Sequence, residues 1–357
     1  MKKITISLAC LFSIAIGIIA WNLYHYKHGS FKLEPKADFY LIYPDHIESY
    51  ELTGNQTSLL SSQKLPNEDY FGSGANFSLE DNTLVYSDEG YKFSIGTIVT
   101  IDFDRGKIHR QPSKYATLIS GSDGRYFYTA GVFDKVVQFD SQLKLVNEAD
   151  LPEFFNPTGN IQVDQEMIYL VGTENNPDDP ENWKNQLVWI DKKSMKLAGS
   201  LHLDRKMTVQ EGYLLNGILY LPIIANTADD YTMSESKQVL TFDTRTKKFA
   251  TIDLENPAPT RIYPLNSSHT ILIEHDGYTT EDIRFTIYDT KTDQESIHVF
   301  PDIMYDYPAI SHLEALDDER LLFIVGDQLY LYNWKTKTIL NQLTLPSEYL
   351  TGMWMQK

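Results

Sequence analysis

From residue 38 onward, short apolar bursts alternate with polar turns along the whole chain. The most regular unit is an alternation of apolar and polar residues that ends in an acid or amide and passes into a turn rich in Thr, Ser or Lys. It reads IVTIDFDRGK, VVQFDSQLK, LVWIDKKSMK, VLTFDTRTKK, FTIYDTKTDQ and LYLYNWKTK. A second apolar burst precedes each unit (FYLIYP, TLVYSD, RYFYTAG, MIYLVGT, ILYLPII, TILIEH, LLFIVGD), and a third follows, as in KLVNEADL, KLAGSLHL, KFATIDL and TILNQLTL. β-Branched and aromatic side chains suit a pleated, half-buried surface, and turn dipeptides such as Asp123-Gly124 separate the runs, so the pattern predicts strands joined in hairpins. No stretch beyond residue 38 carries the period of a long amphipathic helix.

The residues that close the regular unit are Asp102, Asp140, Asp191, Asp243, Asp289 and Asn333, with Glu51 as a degenerate first member. They are spaced 38 to 52 residues apart, the range of propeller blades. Six units hold four strands each. The first begins directly at FYLIYP and lacks an inner strand, whereas YLTGMWM at the end of the chain is a strand without a partner. The pattern therefore predicts an all-β, seven-bladed β-propeller over 38–357, closed by the C-terminal strand completing the first blade and so without open edges around the ring. The recurring Asp is expected to be structural, its carboxylate accepting backbone hydrogen bonds in an Asx-type turn.

The phrases YDTK (Tyr288 to Lys291) and FDTRTK (Phe242 to Lys247) resemble the strand ends of the broad seven-bladed families related to YVTN repeats and quinoprotein-type propellers. The resemblance covers about residues 38 to 355, is generic, and implies the fold more than an activity. The Trp-Asp signature, the kelch Gly-Gly pair and the regular tryptophan docking motif of quinone enzymes are missing, so those assignments are not supported.

Ahead of this repeat lies a different pattern. Lys2 and Lys3 precede Ile4 to Trp21, which are 18 residues without a charge, long enough for about 27 Å of helix. Trp21, Tyr24 and Tyr26 mark the far interface, and the basic head favours the cytoplasmic side, although Lys27, Lys32 and Lys36 weaken that asymmetry. The expectation is one N-terminal transmembrane helix, a signal anchor over 1–21, then a tether over 22–37, with the propeller outside the cytoplasm on a single-pass cell-membrane protein. Cleavage near Ala15-Ile16-Gly17 would instead give a secreted protein.

Charge and cysteine content narrow the chemistry. With 31 basic and 49 acidic residues the net charge is −18, which repels phosphate backbones and argues against a nucleic-acid partner. The one cysteine, Cys10, lies in the apolar segment, so the folded part has no disulfide and no thiolate ligand or nucleophile. Neither Gly-x-Ser-x-Gly nor a phosphate-cradling glycine loop occurs, and the histidines form no close metal-ligand pairs.

Three consecutive connections between the second and third strands of a blade are long and acidic: 174–185, 226–237 and 275–283. Their Asp178, Asp179, Glu181, Asp229, Asp230, Glu235, Asp276, Glu281 and Asp282 would cluster on one face and draw in a cation or a basic partner; calcium is the one cofactor such oxygen donors suit, though the twelve-position loop pattern is missing. The connections into each next blade, on the same face, carry Tyr70, Phe71, Phe154, Phe155, Arg261, Tyr263, Tyr305 and Tyr307. These rings suit a binding rim with Arg261 as an anion clamp, or else they brace the blades from inside. Burial separates the two readings.

The preferred function is a non-catalytic binding or protein-interaction scaffold without a cofactor, taking a protein, peptide or envelope polymer on that face. The alternative is a propeller hydrolase or lyase, such as a calcium-dependent lactonase, with histidines and carboxylates converging at the central channel. A third is a structural subunit of a membrane complex using the blade sides.

Overall fold

The computed structural model describes residues 28–30, 37–65, 77–79, 82–88, 97–113, 117–131, 135–176, 178, 183–228, 232–265, 269–303, 308–346, 350 and 352–355. They form seven antiparallel sheets, the blades of a β-propeller. Ring closure is as the unmatched strand predicts. Gly352–Met355 pairs with Phe39–Ile42, in the register Phe39↔Met355 to Ile42↔Gly352, and becomes the inner strand of blade 1. His46–Thr53 and Gln56–Lys64 complete that blade outward.

The sequence pattern follows from where each strand sits. Middle strands pack against neighbouring blades on both faces, so they read as unbroken apolar runs: Phe39–Ile42 and Thr270–His275 are buried at every position. Outer strands have one wet face and alternate, as in Lys107–Pro112. Seven apolar clusters result, one at each blade interface, with the last joining blade 7 (Leu322, Ile324, Leu331) to blade 1 (Phe39, Leu41, Tyr50). The ring has no single centre of hydrophobic mass. Each blade is held by its two neighbours.

The lower face carries the turns between first and second strands and between third and fourth strands. There the recurring acids behave as expected of Asx turns. Asp191 accepts from the Ser194 amide at 2.7 Å, Asp243 from Arg245 and Thr246 at 2.9 Å, Asp289 from Lys291 at 2.9 Å, and Asn333 from Thr336 at 2.9 Å. These donors stabilise the ionised form, chiefly Ser194 for Asp191, Thr246 for Asp243 and Lys291 for Asp289, and hold each carboxyl below its usual range. Four residues after the acid the backbone turns left-handed, at Met195, Lys247, Asp293 and Lys337.

A second series was not read from the sequence. Asp123, Asp164 and Asp317 close the first turn of blades 3, 4 and 7, each accepting two amides of its own turn. Lys192, which follows the blade 4 Asp, reaches back to blade 3 and donates to Asp123 at 2.9 Å.

Two expectations about the N-terminus meet the structure differently. The transmembrane segment 1–21 lies outside the described residues; among those described, no helix is long and apolar enough to cross a membrane. The stretch 22–37, expected to be a plain tether, contributes a strand. His28–Ser30 pairs antiparallel with Lys107–Pro112, in the register His28↔His109 to Ser30↔Lys107, as a fifth strand on the outer edge of blade 2. An outer strand leaves one row of amides and carbonyls unpaired, and the chain's own preceding segment satisfies part of it.

Candidate functional site

The upper face carries the connections between second and third strands and those leading into each next blade. Among the described residues it holds a cavity of about 240 Å³ at the channel mouth, lined by Glu211, Arg261, Glu274, His275, Gly277 and Ile310 among others from blades 5 to 7. Arg261 and Glu274 are cross-strand partners on blade 6, so their side chains share the sheet face that looks toward blade 7.

Glu274 is buried, yet both carboxylate oxygens are occupied. Oε1 accepts from the Ile310 amide of blade 7 at 3.0 Å and Oε2 from the Tyr263 hydroxyl at 3.0 Å. Burial pushes its carboxyl pKa up, while Arg261, the Ile310 amide and the Tyr263 hydroxyl pull against it. Burial and the Glu274 charge push the Tyr263 phenol well up, so it remains a donor. Arg261 Nη1 donates to the Tyr263 oxygen at 3.2 Å and to the Ile310 carbonyl at 3.5 Å, and Nε pairs with Glu211 of blade 5 at 3.1 Å. One arginine, its side chain 38% exposed, thus ties three blades at the channel mouth.

The next residue along the strand points the other way, as strand geometry requires. His275 is buried toward blade 5; its Nδ1 donates to the Pro257 carbonyl at 2.7 Å and its Nε2 accepts from the Thr286 hydroxyl at 2.9 Å. Burial lowers its pKa to about 4, with Arg284 adding to the effect. Glu274 and His275 are therefore adjacent in sequence and separated by the sheet. Other histidines have local partners in other places: His46 with Asp45 on blade 1, His202 with Glu174 on blade 4, and His298 with Tyr332 between blades 6 and 7.

The acidic loop of blade 6 is held by its own contacts. Asp276 caps the short helix Gly277–Thr280 and accepts from the Thr279 hydroxyl at 2.7 Å. Glu281 is exposed in a left-handed conformation, and Asp282 makes a two-pronged pair with Arg284 at 2.6 and 2.8 Å. Gly277 lies so close to the Pro308 carbonyl that a Cβ would stand 1.7 Å from it; only glycine lets this loop close onto the connection to blade 7.

Of the remaining expected residues, Asp178 is exposed and its amide donates to Asn176 at 2.9 Å. Phe154 is half-buried with φ 61°, and its carbonyl accepts from Asn175. Phe155 is fully buried in the cluster between blades 3 and 4, a packing ring rather than a rim ring. Asp179, Glu181, Asp229, Asp230, Tyr70, Phe71, Tyr305 and Tyr307 lie outside the described residues. Among the described residues, no group of three or more His, Cys, Asp or Glu is arranged to hold a metal ion.

Two further residues of these same loops stand out by exposure. Met233 and Tyr278, 65% and 59% exposed, are the most exposed large apolar side chains described, and they stand on the neighbouring loops of blades 5 and 6. The signal was an apolar residue inside an acidic turn, where solvation alone has no use for one.

The sequence matches no family model and no curated protein. Among solved structures, hydrazine synthase from Kuenenia stuttgartiensis is 12% identical with a TM-score of 0.52, over 88% of this chain and 96% of that one. BamB from Moraxella catarrhalis is 10% identical with a TM-score of 0.48, over 88% and 84%. The likeness to hydrazine synthase shows a shared fold alone. No ligand, activity or partner comes with it.

Proposed function

We propose that this chain is a membrane-anchored, extracytoplasmic β-propeller that serves as a non-catalytic binding scaffold, taking a protein or peptide segment on the upper face of blades 5 and 6. The observation that carries this is the pair Met233 and Tyr278, two exposed apolar anchors at the second-to-third-strand connections of consecutive blades, the latter next to Gly277, which lines a polar depression whose charged groups are already paired. Apolar anchors rimmed by satisfied polar groups suit partner recognition, in which a few residues supply most of the binding energy. The clamped Arg261 and the divergent Glu274 and His275 favour this over the hydrolase or lyase alternative, which needs an acid and a base facing one substrate. The anchor rests on the uncharged run Ile4 to Trp21. The binding face needs no metal.

A photo-crosslinking residue placed at Met233 or Tyr278 in the full chain, in the membrane of the cell that makes it, should give the same adduct from both positions and none from Leu197 on the outer strand of blade 4. Adducts absent from both loop positions, or equal at all three, would refute the assignment of this face.

A further inference from the structure

The entry of the chain at blade 2 constrains which side of the propeller faces the bilayer. Resting on the anchor proposed above, we infer that the outer rim of blades 1 to 3 lies against the lipid surface, so that the ring stands on its side with blades 5 and 6 directed away from the membrane.

The reach of the chain sets the first limit. The apolar run ends at Trp21 and His28 is already paired with His109, so seven peptide steps, at most about 25 Å, connect them. A compact chain of this size is roughly 50 Å across. Without the pairing, the free segment would run to residue 37 and permit many orientations. Pinned at residues 28–30, the outer edge of blade 2 is held near the membrane and blades 5 and 6, across the ring, are held away from it.

The chemistry of the rim points the same way. The outer strands of blades 1 and 3 flank the pinned edge, and each exposes two adjacent apolar side chains, Leu59 with Leu60 and Leu145 with Val146. Of large apolar side chains, the outer strands of blades 4, 6 and 7 expose one each (Leu197, Val299 and Ile339), and that of blade 5 exposes none. The outer strands of blades 1 and 2 contain no carboxylate although the chain has 49, and they carry Lys64 and Lys107, whereas that of blade 3 carries Glu148 and Asp150, both paired with Lys135. Those of blades 4 and 7 lack carboxylates too, so charge alone does not choose the side; the point of entry does. Exposed apolar pairs with lysines suit the headgroup region, where the stems bury and the ammonium groups stay wet.

The test uses the full chain with Cys10→Ser and single cysteines at Leu60→Cys, Val146→Cys, Ala250→Cys and Val299→Cys, each carrying a fluorophore. The chain is reconstituted in phosphatidylcholine and phosphatidylglycerol vesicles containing a headgroup-attached nitroxide lipid. Quenching at positions 60 and 146 should exceed that at 250 and 299 by at least threefold. Equal quenching, or stronger quenching at 250 and 299, in chains that float with the vesicles would overturn the orientation and leave the anchor standing. A chain that does not float would overturn both.

Discussion

Lowering the pH from 7.5 to 5 should weaken the fold through His275 and His298, which the structure keeps neutral. Both are buried, and burial lowers the pKa of each to about 4, with Arg284 assisting at His275 and Lys337 at His298. In the unfolded chain the same rings titrate near 6.5, so between these values the unfolded state binds more protons and stability rises with pH. The contribution is therefore complete above about pH 6.5 and drains away as pH falls toward 4. At pH 5 the unfolded ring is almost fully protonated and the folded one almost not at all, which is worth about 2 kcal/mol per histidine and about 4 kcal/mol for the pair. Urea unfolding followed by tryptophan fluorescence measures it, comparing the native chain with His275→Gln/His298→Gln, which retains amide donors and acceptors but no titration. Glu274, whose raised pKa acts in the opposite sense, is common to both proteins and cancels. The native chain should lose about 4 kcal/mol more than the double variant between the two pH values. Equal losses would refute the burial argument.

Other consequences follow from the same contacts. Arg261→Ala removes the charge that opposes the desolvation of buried Glu274 but leaves its Ile310 and Tyr263 donors in place, and should cost about 1–2 kcal/mol of unfolding free energy; an unchanged urea midpoint would mean that the guanidinium adds nothing to the stability of the ring. Trp354, on the closing strand, stacks on Phe103 of blade 2 at 5.6 Å and donates to Asn82 at 3.2 Å. Trp354→Ala should therefore cost about 3–5 kcal/mol, and a thermal midpoint unchanged from the native chain would show that the ring holds without that contact. Addition of calcium, with magnesium as control, should leave both the melting temperature and the heat of mixing unchanged; a saturable, calcium-selective response would make the acidic loops 174–185 and 226–237 a metal site and refute this reading.

Strand content and blade number were legible in the sequence because they depend on local chemistry, and the closing strand because the first unit lacks an inner strand while the last strand lacks a partner. Apolar alternation marks a strand, and the Asp at 191, 243 or 289 needs only amides two or three residues away to form its turn. The same locality explains the Asp123 series, whose signal lay in turns treated only as breaks between strands. Side-chain roles were less legible. An aromatic pair such as Phe154-Phe155 reads alike whether it packs or binds, until the two sheet faces are assigned.

What the sequence by itself determined is the set of blades and their order, since each hairpin is held by contacts close in the chain. Tertiary structure alone decided what the upper face is made of. Arg261 finds Glu211 fifty residues earlier and Ile310 forty-nine residues later only because the ring brings three blades to one channel mouth. Likewise, His28–Ser30 has no alternation of its own to announce a strand. It becomes one because the outer edge of blade 2 offers unpaired backbone groups within its reach.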